Sequence, residues 1–134
     1  MAGGNIDLSG RVTDEELSLY LQACDLLLLP MADIPANHGR FPLKFSEYIS
    51  AGRPVLATRV GDVPKFIEEH ACGYICNPNP KDLGDALVKA LSNPETMLQY
   101  GKNALSLSQN ELFSWHNRSL DLEAFYMRLL NKRN

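Results

Sequence analysis

The residues of this 134-residue chain best placed to do chemistry lie between positions 38 and 58. Residues 38–48 read His-Gly-Arg-Phe-Pro-Leu-Lys-Phe-Ser-Glu-Tyr, bringing Gly39, the cations Arg40 and Lys44, and the carboxylate Glu47 into close succession. The pattern predicts a polar loop over residues 37–40, a helix opened by Pro42 and closed by Gly52, and an apolar strand over residues 54–57. Proline suits the first helical position, where its missing N–H has no partner to lose, and glycine suits the position past the end because it tolerates positive φ. A loop feeding a helix start among alternating strands and helices favours anionic ligands, since the backbone N–H groups there are unpaired and the helix dipole attracts negative charge. The N–H groups of Gly39, Arg40 and Phe41 are the candidates to face such a ligand, with the Arg40 guanidinium adding charge. The plain reading of Glu47, three residues after Lys44, is a surface ion pair worth about 0.2–0.5 kcal/mol.

The elements that must position these residues follow from the rest of the pattern. Residues 5–8 form a possible short strand, ended by Ser9 and Gly10. Thr13 begins a helix, with Glu16 three residues later completing a capping box, and Leu17, Tyr20, Leu21 and Cys24 give it an apolar face to pack on a sheet. Asp25-Leu-Leu-Leu-Leu-Pro30 does not alternate, so it is expected as a central strand covered on both faces. Residues 31–41 are a turn-rich connection of the length associated with function or mobility.

The helix over residues 42–51 offers Phe45, Tyr48 and Ile49 to the core, and after the strand at 54–58 a short helix is expected around residues 65–69 and a strand over 73–76. Asn79-Pro80 caps a helix with Leu83, Leu87, Ala90 and Leu91 as its buried stripe. Pro94 starts another, with Met97, Gly101, Ala104 and Leu105 on one face, and Ser114 starts a last helix to about Asn131 that carries Trp115, Leu122, Phe125, Tyr126, Leu129 and Leu130. Strands separated by helices predict an α/β fold, a partial Rossmann-like doubly wound parallel sheet with trailing C-terminal helices.

Thirteen Lys and Arg against sixteen Asp and Glu leave a net charge of −3, which gives no bulk electrostatic reason to expect a nucleic-acid partner. The longest apolar run, residues 26–29, is far too short to span a bilayer, and the N-terminus lacks a signal pattern, so a cytoplasmic location is expected. Residues 1–4 resemble a start or expression remnant, leaving 5–134 as one domain. Cys24, Cys72 and Cys76 lack zinc-site spacing and are expected as buried free thiols. His38, His70 and His116 are too scattered for a metal cluster, and no Ser-His-Asp set is present, so no metal, cofactor or general base is assigned.

Taken in order, Asp25-Leu-Leu-Leu-Leu-Pro30, Phe41-Pro-Leu-Lys-Phe-Ser-Glu-Tyr48, Ala51-Gly-Arg-Pro-Val-Leu-Ala-Thr58, Val60-Gly-Asp-Val-Pro64, Gly73-Tyr74 and Phe113-Ser-Trp115 resemble the C-terminal domain of family 4 glycosyltransferases of the GT-B fold, truncated on its N-terminal side. No single piece is specific, but the ordered set is, and it covers residues 5 to about 130. The resemblance implies two Rossmann-like domains facing a cleft, in which a sugar leaves a nucleotide-diphosphate donor with retention at the anomeric carbon and no metal-binding aspartate motif is needed. It places the donor on the C-terminal domain and the acceptor on the N-terminal one. The donor phosphate is thought to assist the chemistry, so catalytic residues stay unassigned.

The family signature is a glutamate, seven intervening residues and a second glutamate. Glu47 matches the second, which accepts hydrogen bonds from ribose hydroxyls, a task suited to an ionised carboxylate. The first falls on Gly39, which cannot supply the carboxylate directed at the donor sugar. The nucleotide-sugar-binding set is therefore Glu47, Gly39, Arg40, Phe41 and Lys44.

The implied function is the donor-binding half of a glycosyltransferase acting on an acceptor such as a glycan or glycolipid, inactive alone because both substrates must share one cleft. The alternative is a non-catalytic nucleotide-binding or interaction module that keeps the fold. Expected partners are the nucleotide-diphosphate sugar, the missing N-terminal domain and, through apolar surface left exposed on the last helix, a second copy of the chain. A full-length enzyme would work in the cytoplasm or at the cytoplasmic face of a membrane. With its family neighbour missing, the strand at residues 5–8 is expected to move beside residues 26–29, pair with another chain, or fail to form.

Overall fold

In the computed structural model, which describes residues 6–132, Thr13 opens the first helix, α1 (Asp14–Ala23). The Thr13 N–H donates to the Glu16 carboxylate at 2.8 Å and the Glu16 N–H donates to the Thr13 hydroxyl at 3.2 Å, the reciprocal cap predicted from the sequence. Next come β1 (Leu27–Leu29), the single turn α2 (Pro35–His38), α3 (Leu43–Ser50), β2 (Val55–Thr58), α4 (Val63–His70) and β3 (Gly73–Cys76). The chain continues as α5 (Pro80–Leu91), α6 (Pro94–Ser108), a 3-10 turn (Glu111–Phe113) and α7 (Trp115–Asn131).

The three strands are parallel in the order β1-β2-β3, with Leu28 opposite Leu56 and Leu56 opposite Tyr74. Both crossovers step the same way, so right-handed connections put α3 and α4 on one face of the sheet. That face holds the core, where Leu29, Val55 and Ala57 meet Phe45 and Ile49 of α3, Val63 and Ile67 of α4, and Ala104 and Leu107 of α6. Two glycines permit the closest approaches. A methyl at Gly73 would lie 1.9 Å from the Val55 carbonyl oxygen, and one at Gly101 would lie 2.7 Å from that of Gly52.

The mixed α/β class and the parallel sheet agree with the sequence reading, and several placements do not. β2 is the central strand, buried at every position. β1 pairs with β2 alone among the described residues, and its Leu28 is 40% exposed. The unbroken leucine run marked apolar cover on two faces, but the described residues cover only one of them at β1. Residues 6–8 are not a strand, and Asn5 lies outside the described residues.

The first helix does not pack on the sheet. α1 buries no residue, and its Leu17 and Leu21 face α3 across a groove that also contains Ser50 and Ala51. Leu91 and Leu105 are exposed, and Leu107 takes the core position because the Gly101–Gly52 contact fixes how α6 is turned. Cys24 is exposed, while Cys72 and Cys76 are buried as expected. Pro42 caps α3 from one residue outside it, and Gly52 closes the turn with φ +68°.

Candidate functional site

The Leu27 N–H donates to the Pro54 carbonyl on the β2 side, but two pairs farther on the Thr58 carbonyl has turned to the Val60 N–H, so the ladder stops there and the loop after β1 begins. The Thr58 side chain takes over. Its hydroxyl accepts from the Met31 N–H and donates to the Met31 carbonyl, both at 2.8 Å and both buried. Farther along, the Asn37 amide donates to the Ala32 carbonyl at 2.7 Å, His38 Nε2 meets Asp33 Oδ1 at 2.6 Å, and the Gly39 N–H donates to the Pro35 carbonyl at 3.3 Å. The connection from β1 to α3 is thus cross-linked to itself and tied to the neighbouring strand.

This loop leads into α3 at the C-terminal edge of the parallel strands, where α/β sheets collect ligands. α3 starts without a side-chain cap. The Phe45 N–H reaches the Pro42 carbonyl at 3.0 Å, but among the described residues the N–H groups of Arg40, Phe41, Leu43 and Lys44 have no acceptor. These are the orphan donors of a helix start. The set differs in one respect from expectation, since the Gly39 N–H is already engaged at the end of α2.

Phe41 brings a free N–H to this site, and its ring, on a residue that is 39% exposed, joins an aromatic cluster. It packs against Phe45, Phe66 and Phe113 with centroids 5.9, 5.7 and 6.2 Å away. Arg40 and Lys44 are exposed, and among the described residues neither forms an ion pair. The Lys44–Glu47 pair allowed by the spacing is therefore not formed. Glu47 is an exposed carboxylate with no side-chain partner among the described residues, one helical turn after Leu43. Its charge helps raise the pKa of the neighbouring Tyr48 phenol, after the larger effect of burial and ahead of Cys24.

Glu47 stands between two cavities of about 420 Å³ each. One is aromatic, with Phe41, Phe66, Phe113 and Trp115 in its wall and Arg118 at its rim, the last paired with Asp121 at 2.8 Å. The other is polar, with Asp14, Ser18, Gln22 and Ser50 beside the Leu17 and Leu21 side chains. The carboxylate can therefore accept from a polyhydroxyl group lying over α3 while an adjoining ring enters either side. No group of three His, Cys, Asp or Glu side chains among the described residues is placed to hold a metal ion.

The structure brings Arg40, Phe41, Lys44 and Glu47 to one helix start and adds residues that the sequence reading did not single out. Thr58 and Asn37 hold the loop, and Phe66 builds the aromatic cavity. Only Thr58 left a usable signal, a hydroxyl at the end of an otherwise apolar strand.

The family described as glycosyl transferases group 1 matches residues 1–106. An uncharacterized glycosyltransferase of Methanocaldococcus jannaschii is 25% identical over 93% of this chain and 34% of its own length. A D-inositol 3-phosphate glycosyltransferase of Corynebacterium efficiens is 29% identical over 84% of this chain and 25% of its own length. Among solved structures, the sucrose-phosphate synthase of Thermosynechococcus elongatus superposes with a TM-score of 0.77 at 26% identity, over 92% of this chain and 30% of that one. This chain therefore spans between a quarter and about a third of the length of these relatives. The family match over most of the sequence, joined to the parallel sheet and the open start of α3, makes this chain a member of the group 1 glycosyl transferases, with a domain of the GT-B fold.

Proposed function

We propose that this domain holds the nucleotide-diphosphate sugar donor of a glycosyltransferase. One observation carries the reading: an exposed, unpaired carboxylate, Glu47, lies one turn along α3 from the unpaired N–H groups of Arg40, Phe41, Leu43 and Lys44. Glu47 lies four residue steps of helix after Leu43, about 6 Å along the axis. That spacing suits a nucleotide whose diphosphate sits at the helix start and whose ribose hydroxyls reach the carboxylate. Arg40 and Lys44 supply the local positive charge that the overall balance of −3 does not.

Transfer to an acceptor takes place on this reading only in a cleft completed by a second domain, which holds the acceptor. The acceptor is a glycan or glycolipid on the family resemblance. The full-length enzyme acts in the cytoplasm or at the cytoplasmic face of a membrane, and no described helix is long and apolar enough to cross one. Exposed apolar side chains along α7, including Leu122, Phe125 and Leu129, make self-association the expected behaviour of this chain in solution.

A second reading, a non-catalytic nucleotide-binding module, draws on Gly39. It offers no side chain to a sugar, and its N–H is spent within α2.

The test is calorimetric titration of the chain and of Glu47→Ala with uridine and guanosine diphosphates. The expected result is binding of one nucleotide by the parent chain and a loss of about tenfold or more in the variant, as for a charge-assisted pair of hydrogen bonds worth roughly 1.5–3 kcal/mol. Unchanged affinity in the variant removes Glu47 from the site, and absence of binding by the parent chain removes the donor reading.

A further inference from the structure

The free N–H groups of Arg40 and Phe41 belong to a stretch with no ladder bond to the sheet, yet two points on β2 and its outgoing turn hold that stretch. The first is Thr58, itself 3% exposed, whose hydroxyl serves both backbone groups of the buried Met31 at 2.8 Å. The second is Gly61, at φ +67°. A methyl group there would stand 3.0 Å from the Asn37 carbonyl oxygen and 3.8 Å from that of Arg40, so the missing side chain is the seat on which residues 37–40 rest. Between these points the Asn37–Ala32 and His38–Asp33 bonds join the loop to itself. A cross-linked piece fixed at two places has its outgoing end fixed as well.

We propose that Thr58 and Gly61, neither of which borders the cavities at Glu47, are positioning residues that hold residues 39–41 at the height over the start of α3 required for donor binding. The inference rests on the reading that these N–H groups meet the donor diphosphate. Its physical basis is preorganisation: a hydrogen bond tolerates only a few tenths of an ångström around its best distance, and a loop in place one-tenth of the time binds about tenfold more weakly. Thr58→Val keeps the shape and removes both hydroxyl bonds, Thr58→Ser keeps the hydroxyl, and Gly61→Ala displaces the seat without touching Thr58.

The experiment pairs amide hydrogen exchange on the ligand-free chain with calorimetric titration of uridine and guanosine diphosphates, for the parent chain and all three variants. The amides to follow are Asn37 and Gly39, which donate to Ile34 and Pro35 inside the loop and make no bond to Thr58 or Gly61. In Thr58→Val they are expected to exchange about tenfold faster, with β2 and β3 protection retained and nucleotide affinity about tenfold lower, the weakening set by loop occupancy. Thr58→Ser restores both readouts to within about twofold of the parent. Gly61→Ala moves them in the direction of Thr58→Val, and it carries the comparison alone if Thr58→Val does not fold.

Unchanged exchange at Asn37 and Gly39 in a folded variant overturns the positioning role whatever the nucleotide does. Faster exchange with unchanged affinity overturns the link to the donor. A parent chain that binds neither nucleotide overturns the donor reading and, with it, the link to affinity, while the exchange data still judge the loop.

Discussion

In α3, Phe45 and Ile49 are completely excluded from solvent, whereas α7, more than twice as long, buries no side chain and leaves Trp115 78% exposed. Both helices carry apolar residues at helical spacing, so the difference lies in where the chain takes them. α3 connects two paired strands and is held over the sheet, with α6 packed against it through Gly101 and Gly52. α7 leaves the core through the 3-10 turn Glu111–Phe113, and Phe113 is the last ring to reach the aromatic cluster with Phe41, Phe45 and Phe66. An apolar stripe states that a helix needs cover and leaves open whether its own domain supplies it. α1 teaches the same lesson, with an apolar face, a well-formed cap and no buried residue.

The sharpest break of this contrast is at the sheet. Gly73→Ala puts a methyl group 1.9 Å from the Val55 carbonyl oxygen in the β2–β3 ladder, against strand backbone that cannot swing aside as a flexible side chain could. Loss of about 3 kcal/mol or more, the upper range for overpacking, is expected as a fall in the urea midpoint or as failure to fold. The matched pair Phe45→Ala and Phe125→Ala removes the same ring from a site that is 0% exposed and from one that is 47% exposed. About 3–5 kcal/mol is expected for the first and within about 0.5 kcal/mol for the second. Phe125→Ala should instead weaken self-association in sedimentation across a concentration series, and comparable stability losses in the two variants would show that α7 has found cover within the chain.

The smallest effect is chemical. Burial pushes the Cys72 thiol up from its ordinary 9.0 to about 11, while Cys24 is exposed. At pH 8 iodoacetamide is expected to modify Cys24 quickly and Cys72 only as the chain unfolds, read by mass spectrometry. Because burial favours the neutral thiol, its contribution to stability is complete below the ordinary pKa and is lost as pH rises through about 11.

Much of the local structure was legible in the residues themselves. Thr13 with Glu16 and Asn79 before Pro80 each cap the helix they announce, because a cap depends only on groups a few residues apart. The start of α3 was legible for the same reason, as were the free N–H groups of Arg40 and Phe41, but not the engagement of the Gly39 N–H with Pro35. The unpaired state of Glu47 was not legible, since the spacing to Lys44 permitted an ion pair that does not form among the described residues. Nor was the edge position of β1, where four consecutive leucines pointed to cover on both faces.

The sequence by itself determined most of the helices and strands and the family to which their order belongs, matters of short-range hydrogen bonding and periodicity, but neither the single turn α2 inside the expected loop nor the absence of a strand over residues 6–8. Only the tertiary structure decided which apolar faces are buried, that the Thr58 hydroxyl holds both backbone groups of Met31, 27 positions away, and that Glu47 stands free between two cavities. Those outcomes depend on contacts between residues far apart in the chain, which become neighbours only once the sheet has formed.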